Sequence, residues 1–112
     1  MVVGQLIIQS ALTFNSDATY KIQLDSPTAE ADKVVANGVT INTGAQSRLE
    51  DLGNGTLAAG TVFTVINNTS ASPIVGRFAN LVDGLSFTVN GNTYRVNYQG
   101  GDGNDLTLTV VP

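Results

Sequence analysis

The tightest constraint on this chain is a hairpin close to its C-terminal end. Leu85-Ser86-Phe87-Thr88-Val89 alternates apolar and polar side chains, Asn90-Gly91 supplies the positive φ angles of a type I′ turn, and Tyr94, Val96 and Tyr98 resume the alternation. A two-residue loop then fixes the register. Phe87 must face Tyr94 and Leu85 must face Val96, which places both apolar rows on one face; a slip of one residue would scatter them. Each aromatic cross-strand pair of this kind adds about 0.2–1 kcal/mol. The stretch Gly100-Gly101-Asp102-Gly103-Asn104-Asp105 is too rich in glycine for a regular element, and Leu106-Thr107-Leu108-Thr109-Val110 follows as a closing strand. Phe78 to Val110 therefore reads as a three-strand unit whose turns are set by Asn90, Gly91, Gly100, Gly101 and Gly103.

Upstream, apolar segments recur between turn signals. Gly4 to Phe14, Ala18 to Leu24, Asp32 to Ile41 and Gln46 to Leu52 read as strands, separated by Asn15-Ser16-Asp17, Ser26-Pro27-Thr28 and Asn42-Thr43-Gly44. Thr61 to Ile66 is apolar on both faces and is expected to be covered on both. Asn67 to Pro73 is the longest loop, expected to be exposed and mobile. No window carries a 3.6-residue apolar period; the most helix-like stretch, Thr28 to Val35, is short and ends in β-branched residues. Internal repetition is faint, limited to the shared pattern of GVTINTGA and SALTFNSDA. The chain reads as one domain over 1–112, with no linker.

Composition agrees with strands. At 112 residues and 42% apolar content the chain can bury a core, yet only 12% of its residues are charged, well under the quarter usual for soluble domains. Its surface must be built from Thr, Asn, Ser, Gln and Gly, residues that favour outer strand faces and turns. The absences exclude more. Without Cys or His there is no basis here for zinc sites, thiol nucleophiles, disulfides or Ser-His-Asp triads. A net charge of −4, with Lys21, Lys33, Arg48, Arg77 and Arg95 scattered, gives no footprint for nucleic acid. No apolar run approaches a membrane span, and Met1 to Gln5 lacks the features of a signal peptide, so an extracellular location implies a mature or excised form.

The order Phe78-x-x-Leu81-x-x-Gly84, then Phe87, Tyr94, Tyr98-x-Gly100-Gly101-x-Gly103-Asn104-Asp105-Leu106-Thr107-Leu108-Thr109, resembles the C-terminal end of bacterial surface proteins with autotransporter-associated β-strand repeats. Gln5 to Ile8 with Leu12 to Phe14, Asp17 to Ile22, Asp32 to Ile41 and Ala59 to Ile66 look like successive rungs before that end. The resemblance covers nearly the whole chain, and it rests on order and spacing. It implies an all-β, right-handed β-solenoid-like stack of short strands, with rungs over 1–66 and an antiparallel hairpin cap over 74–112, in an extracellular or cell-surface protein. It implies no catalytic residues. From the residues alone a β-sandwich with the same strands stays open.

Three constellations could carry chemistry. Gly100 to Asp105 matches the start of a calcium-binding nonapeptide, with Asp102, Asn104 and Asp105 as ligands and calcium as the one candidate cofactor. The motif is single, however, and Thr107 stands where its large apolar residue belongs, which favours a tight turn with Asp105 bonded to nearby backbone N–H groups. Asp25, Glu30 and Asp32, and separately Glu50 with Asp51, could form a carboxylate pair for glycoside hydrolysis. Adjacent residues on a strand point to opposite faces, no Trp lines a sugar cleft, and solvated carboxylates are the simpler reading. Asn54-Gly55-Thr56, Asn67-Asn68-Thr69 and Asn68-Thr69-Ser70 match the glycosylation acceptor pattern, expected by chance in so Asn- and Thr-rich a chain.

The remaining expectation is interaction through backbone and shape. The first rung of a stack exposes unpaired N–H and C=O groups, and Val2 to Ile8 contains no Lys or Pro to protect them. The expected function is that of a non-enzymatic structural module that terminates or propagates a β-stack and self-associates by strand addition into filaments. Its partners are further copies or the preceding rungs of a parent protein, joined through Val3, Leu6, Ile8, Leu106, Leu108 and Val110. The alternative is a carbohydrate- or surface-binding adhesin module using the loop Asn67 to Pro73 and an exposed Tyr20 or Tyr98.

Overall fold

A computed structural model describes residues 5–8, 10–27, 29–51, 53, 55–101 and 103–111. Among them every regular element is a strand: β1 (Gln5–Ile7), β2 (Leu12–Phe14), β3 (Thr19–Asp25), β4 (Glu30–Ala31), β5 (Lys33–Ala36), β6 (Val39–Ile41), β7 (Gln46–Asp51), β8 (Val62–Asn68), β9 (Ser86–Val89), β10 (Asn92–Gly100) and β11 (Asp105–Val111). They form three sheets, ordered β1-β5-β8-β11-β10-β9, β2-β6 and β4-β3-β7.

The first half pairs in parallel with a nearly constant offset. Gln5 lies beside Lys33, Leu12 beside Val39 and Thr19 beside Gln46, so β1, β2 and β3 lie in turn on β5, β6 and β7. A third parallel layer follows: β8 pairs with β5, and Val75 forms a parallel bridge with Thr40. Parallel pairing thus runs on to Val75, the second residue of the segment assigned from sequence to the antiparallel cap. After it the chain turns antiparallel, with β11 on β8, β10 on β11 and β9 on β10.

Two of the long upstream strands are broken at corners. Gly4 to Phe14 divides into β1 and β2, and Asp32 to Ile41 into β5 and β6. The second corner is chemically plain, because Gly38 adopts φ +99°, which an L side chain rarely takes. The hairpin follows the expected register: Tyr94 lies opposite Phe87, Val96 N–H donates to Leu85 O, and Asn90 and Gly91 have φ of 53° and 86°. Asn90 Nδ2 donates to Gly53 O and Asn92 Nδ2 to Gly55 O, tying the hairpin tip to the segment after β7.

Thr61 to Ile66 departs from the expectation of cover on both faces. Val62 is 55% exposed while Val65 and Ile66 are both buried. The cause is a β-bulge: Leu106 pairs with Ile66 but Thr107 pairs with Thr64, so Val65 is an extra residue that shifts the alternation by one. The loop after β8 also departs from the free loop expected. Asn68 is fully buried; its Oδ1 accepts from Gly38 N (3.0 Å) and Ser70 N (3.1 Å), and its Nδ2 donates to Ser72 O (2.9 Å). Thr69 N–H donates to Ala36 O and Asn104 Nδ2 to Ser70 O, so the loop is pinned to the β5–β6 corner and to the turn before β11.

One apolar core fills the space between the sheets. Phe78 is completely buried at its centre, with Phe14 edge-on at 5.1 Å and Tyr20 tilted at 6.1 Å between ring centroids. Such aromatic contacts add about 0.5–1.5 kcal/mol each beyond their buried area. Tyr20 Oη donates across the core to Val65 O at 2.8 Å, and Tyr98 Oη accepts from Phe78 N–H while donating to Leu81 O.

Candidate functional site

Exposure along the largest sheet locates the feature most suited to interaction. Leu6, Val34, Ile66 and Leu106 sit side by side on successive strands and share a face. They are 58%, 7%, 0% and 0% exposed. Leu6 is on the face that packs the core, yet it is open because β1 ends its sheet. The second sheet ends in the same way, with Leu12 and Phe14 half-buried beside buried Val39 and Ile41. Ile7, also on β1, is 62% exposed. Among the described residues, the outer edges of β1 and β2 therefore combine unpaired backbone with apolar side chains.

The third sheet is treated differently. β4 folds back antiparallel over the outer edge of β3; Asp32 N–H donates to Gln23 O, and Asp32 Oδ2 accepts from Gln23 N. The chain covers part of this edge with its own backbone and a carboxylate, a recurrent protection of sheet edges.

Of the residues expected to mate with other chains, Leu6 and Ile8 lie at this open end, Ile8 being half-buried with its N–H donated to Val35 O. Val3 lies outside the described residues. Leu106, Leu108 and Val110 are a correction: β11 is hydrogen-bonded to β8 on one side and β10 on the other, so it offers no edge, and all three are buried core residues. Their strong apolar alternation signals a strand face packed on the core, whether or not the strand lies at an edge. Sequence alone gives no sign of which strand is central.

The turn over 100–105 uses its polar groups internally. Asp105 is buried and its Oδ1 accepts from Asn68 N–H at 3.0 Å, while Asn104 Nδ2 serves Ser70 O; Asp102 lies outside the described residues. Gly101, at φ +58°, and Gly103, at +106°, supply the expected turn conformations. A Cβ on Gly100 would meet the Thr107 side chain at 2.4 Å, so this glycine is required by close approach. Among the described residues no group of three acidic side chains is arranged to hold a metal.

Several of the candidate carboxylates have partners within the chain. Asp25 and Glu30 are cross-strand neighbours, Glu50 pairs with Lys21 at 3.2 Å, and Asp51 Oδ1 accepts from Ser26 and Gly53 N–H. Glu50 and Asp51 do diverge as the strand period requires. Asn68 is too enclosed to accept a glycan, and Asn54 lies outside the described residues. Tyr98 is 1% exposed beneath the Arg77 guanidinium, 4.5 Å from its ring, and Tyr20 is half-buried; none of the aromatic side chains is fully exposed to form a sugar platform.

Burial raises the pKa of all three tyrosines. Tyr94 is pushed up to about 12, first by desolvation and then by the Asp51 charge. Tyr20 is raised by burial and then by Asp32; for Tyr98 burial dominates, opposed by its bond from Phe78 N–H and by Arg77. Tyr94 Oη and Asp51 Oδ2 are buried and, among the described residues, have no hydrogen-bond partner.

Comparison with protein-family models, with curated proteins and with solved structures finds no match.

Proposed function

We propose that this chain is a non-enzymatic structural module that forms the end of a solenoid-like β-stack in a bacterial extracellular or cell-surface protein. The observation that carries the reading is the parallel, three-sheet repetition of β1, β2 and β3 on β5, β6 and β7, followed by a switch to antiparallel strands. A β-sandwich made of the same sheets is the alternative architecture. In the proposed reading the antiparallel strands β11, β10 and β9 cover the last parallel strand of the large sheet, and the outer edges of β1 and β2 receive either preceding rungs or another copy. The surface-protein context rests on the sequence resemblance alone.

Sedimentation and negative-stain electron microscopy across a concentration series, with and without a calcium chelator, test the proposal. The expected result is concentration-dependent assembly that the chelator leaves unchanged. A chain that stays monomeric at every concentration is not self-associating, and chelator-sensitive assembly would make the turn over 100–105 a metal site.

A further inference from the structure

We infer that the open edge of β1 docks on a second copy of this chain, in a groove between β7 and β9; the inference rests on the self-association proposed above and names its acceptor. The groove is a cavity of about 280 Å³ walled by Arg48 and Leu49 of β7, Phe87 and Val89 of β9, and Leu81. That is slightly below the range of about 300–1,000 Å³ typical of small-molecule pockets, and suits a few side chains better than a ligand. Both walls belong to strands that end their sheets.

The edge of β7 is already shaped to receive a strand. Where a third parallel strand would continue from Val75, Ala79 N–H donates to Ala45 O just before β7, and a side chain then takes over: Asn80 Oδ1 accepts from Ser47 N at 2.9 Å and Asn80 Nδ2 donates to Ser47 O at 2.6 Å. The carboxamide thus stands in for one peptide unit of the missing strand. Successive residues of a strand alternate the edge to which they offer backbone groups. Leu49 and Asp51 therefore turn theirs the same way as Ser47, and among the described residues no strand pairs with β7 there.

The same chain supplies a matching element. Among the described residues β1 has one unpaired edge, and Leu6 and Ile7 are 58% and 62% exposed, apolar side chains for an apolar groove. Charge selects this arrangement over β1 meeting β1. The margin of the outer strands carries exposed Asp17 and Glu30 and half-buried Asp25, against half-buried Lys33 and a Lys21 already paired with Glu50. Joining two such margins would set like charges together. At the groove, Arg48 is exposed and among the described residues has no ion pair, so the acidic margin meets a cation. A contact between two different surfaces of one chain propagates head to tail, into an open filament or, where the rotation closes, a ring.

The test is complementation, followed by sedimentation equilibrium. Ile7→Lys blocks the edge and keeps the groove; Leu49→Lys blocks the groove and keeps the edge. Each alone should be monomeric, and an equimolar mixture should form a 1:1 complex that grows no further. Arg48→Glu, at an exposed position that folding tolerates, should weaken association at least tenfold at low salt, with a smaller loss at high salt. If the wild-type chain associates and Leu49→Lys, its fold verified by circular dichroism, associates equally well, or if Arg48→Glu changes nothing, the groove is not the acceptor while self-association stands. If the wild-type chain never associates, self-association fails and this inference with it, while a capping role within a longer stack stands.

Discussion

Replacing Asn68 with Ala should be among the most damaging single changes in this protein outside the apolar core. The side chain is fully buried at the end of β8 and makes three hydrogen bonds, two accepted from Gly38 and Ser70 N–H and one donated to Ser72 O. A typical intramolecular hydrogen bond contributes about 1 kcal/mol net, and a buried group left without a partner costs about 1–3 kcal/mol. Three lost bonds, with partners partly reached by water, amount to about 3 kcal/mol. A domain of this size is stable by roughly 6–17 kcal/mol, so the change removes a fifth to a half of the total. In a thermal scan this is a fall of about 10–20 °C. Urea denaturation gives the free energy, and amide exchange identifies its origin: Gly38 and Ser70 should lose protection before residues of β10. The consequence is structural as well as energetic, because Asn68 joins the third parallel layer to the β5–β6 corner. A loss below about 1 kcal/mol, or unchanged exchange at Gly38, would refute the reasoning.

Three further outcomes follow from the buried groups and the turns. Tyr94→Phe removes a buried hydroxyl with no partner and should be neutral or stabilising by up to about 1 kcal/mol, whereas Tyr98→Phe removes the link between Phe78 N–H and Leu81 O and should cost about 1–3 kcal/mol; equal effects in denaturant titration would contradict the assignment. Gly91→Ala meets open space and should cost about 1–2 kcal/mol for its positive φ alone, while Gly76→Ala would also bring its Cβ within 2.0 Å of Ile41 O and should cost markedly more, as compared by thermal melting. Folded tyrosines raised above their ordinary value of 10 bind protons that the unfolded chain releases. Stability should therefore be complete below about pH 10 and fall as pH rises towards about 12, the value for Tyr94, with phenolate absorbance appearing together with unfolding. Phenolate formation well below unfolding would place the rings in water.

What the sequence makes legible is local. Asn90-Gly91 and the alternation around it specify a register because turn chemistry and side-chain pattern demand the same pairing. The burial of Tyr98 follows from that alternation. The corner at Asn37-Gly38 carries the same chemical signal, but it is masked by apolar residues on both sides, so two short strands read as one. Beyond such signals, long-range pairing decides. The central place of β11 depends on β8 arriving beside it, and the bulge at Val65 appears only when Leu106 and Thr64 fix the register on either side. Asn68 reads as a loop residue in a run of Asn, Thr and Ser; its role emerges when the β5–β6 corner and Asp105 come against it. The groove between β7 and β9 is less legible still, since its walls lie on strands far apart in sequence and its defining property is a strand that is absent.

The central claim is the parallel stacking of the first three strands on the next, and one cross-link tests it directly. The chain contains no cysteine, so a pair can be introduced without competition. Thr13 of β2 and Thr40 of β6 are direct neighbours in the parallel register, at the separation a disulfide spans. Under mild oxidation in dilute solution, the variant with Thr13→Cys and Thr40→Cys should close an intramolecular disulfide rapidly and keep its fold. A control with Thr13→Cys and Asn42→Cys, two residues out of register, should not. Failure of the first pair to close, or equally rapid closure of the second, would contradict parallel stacking.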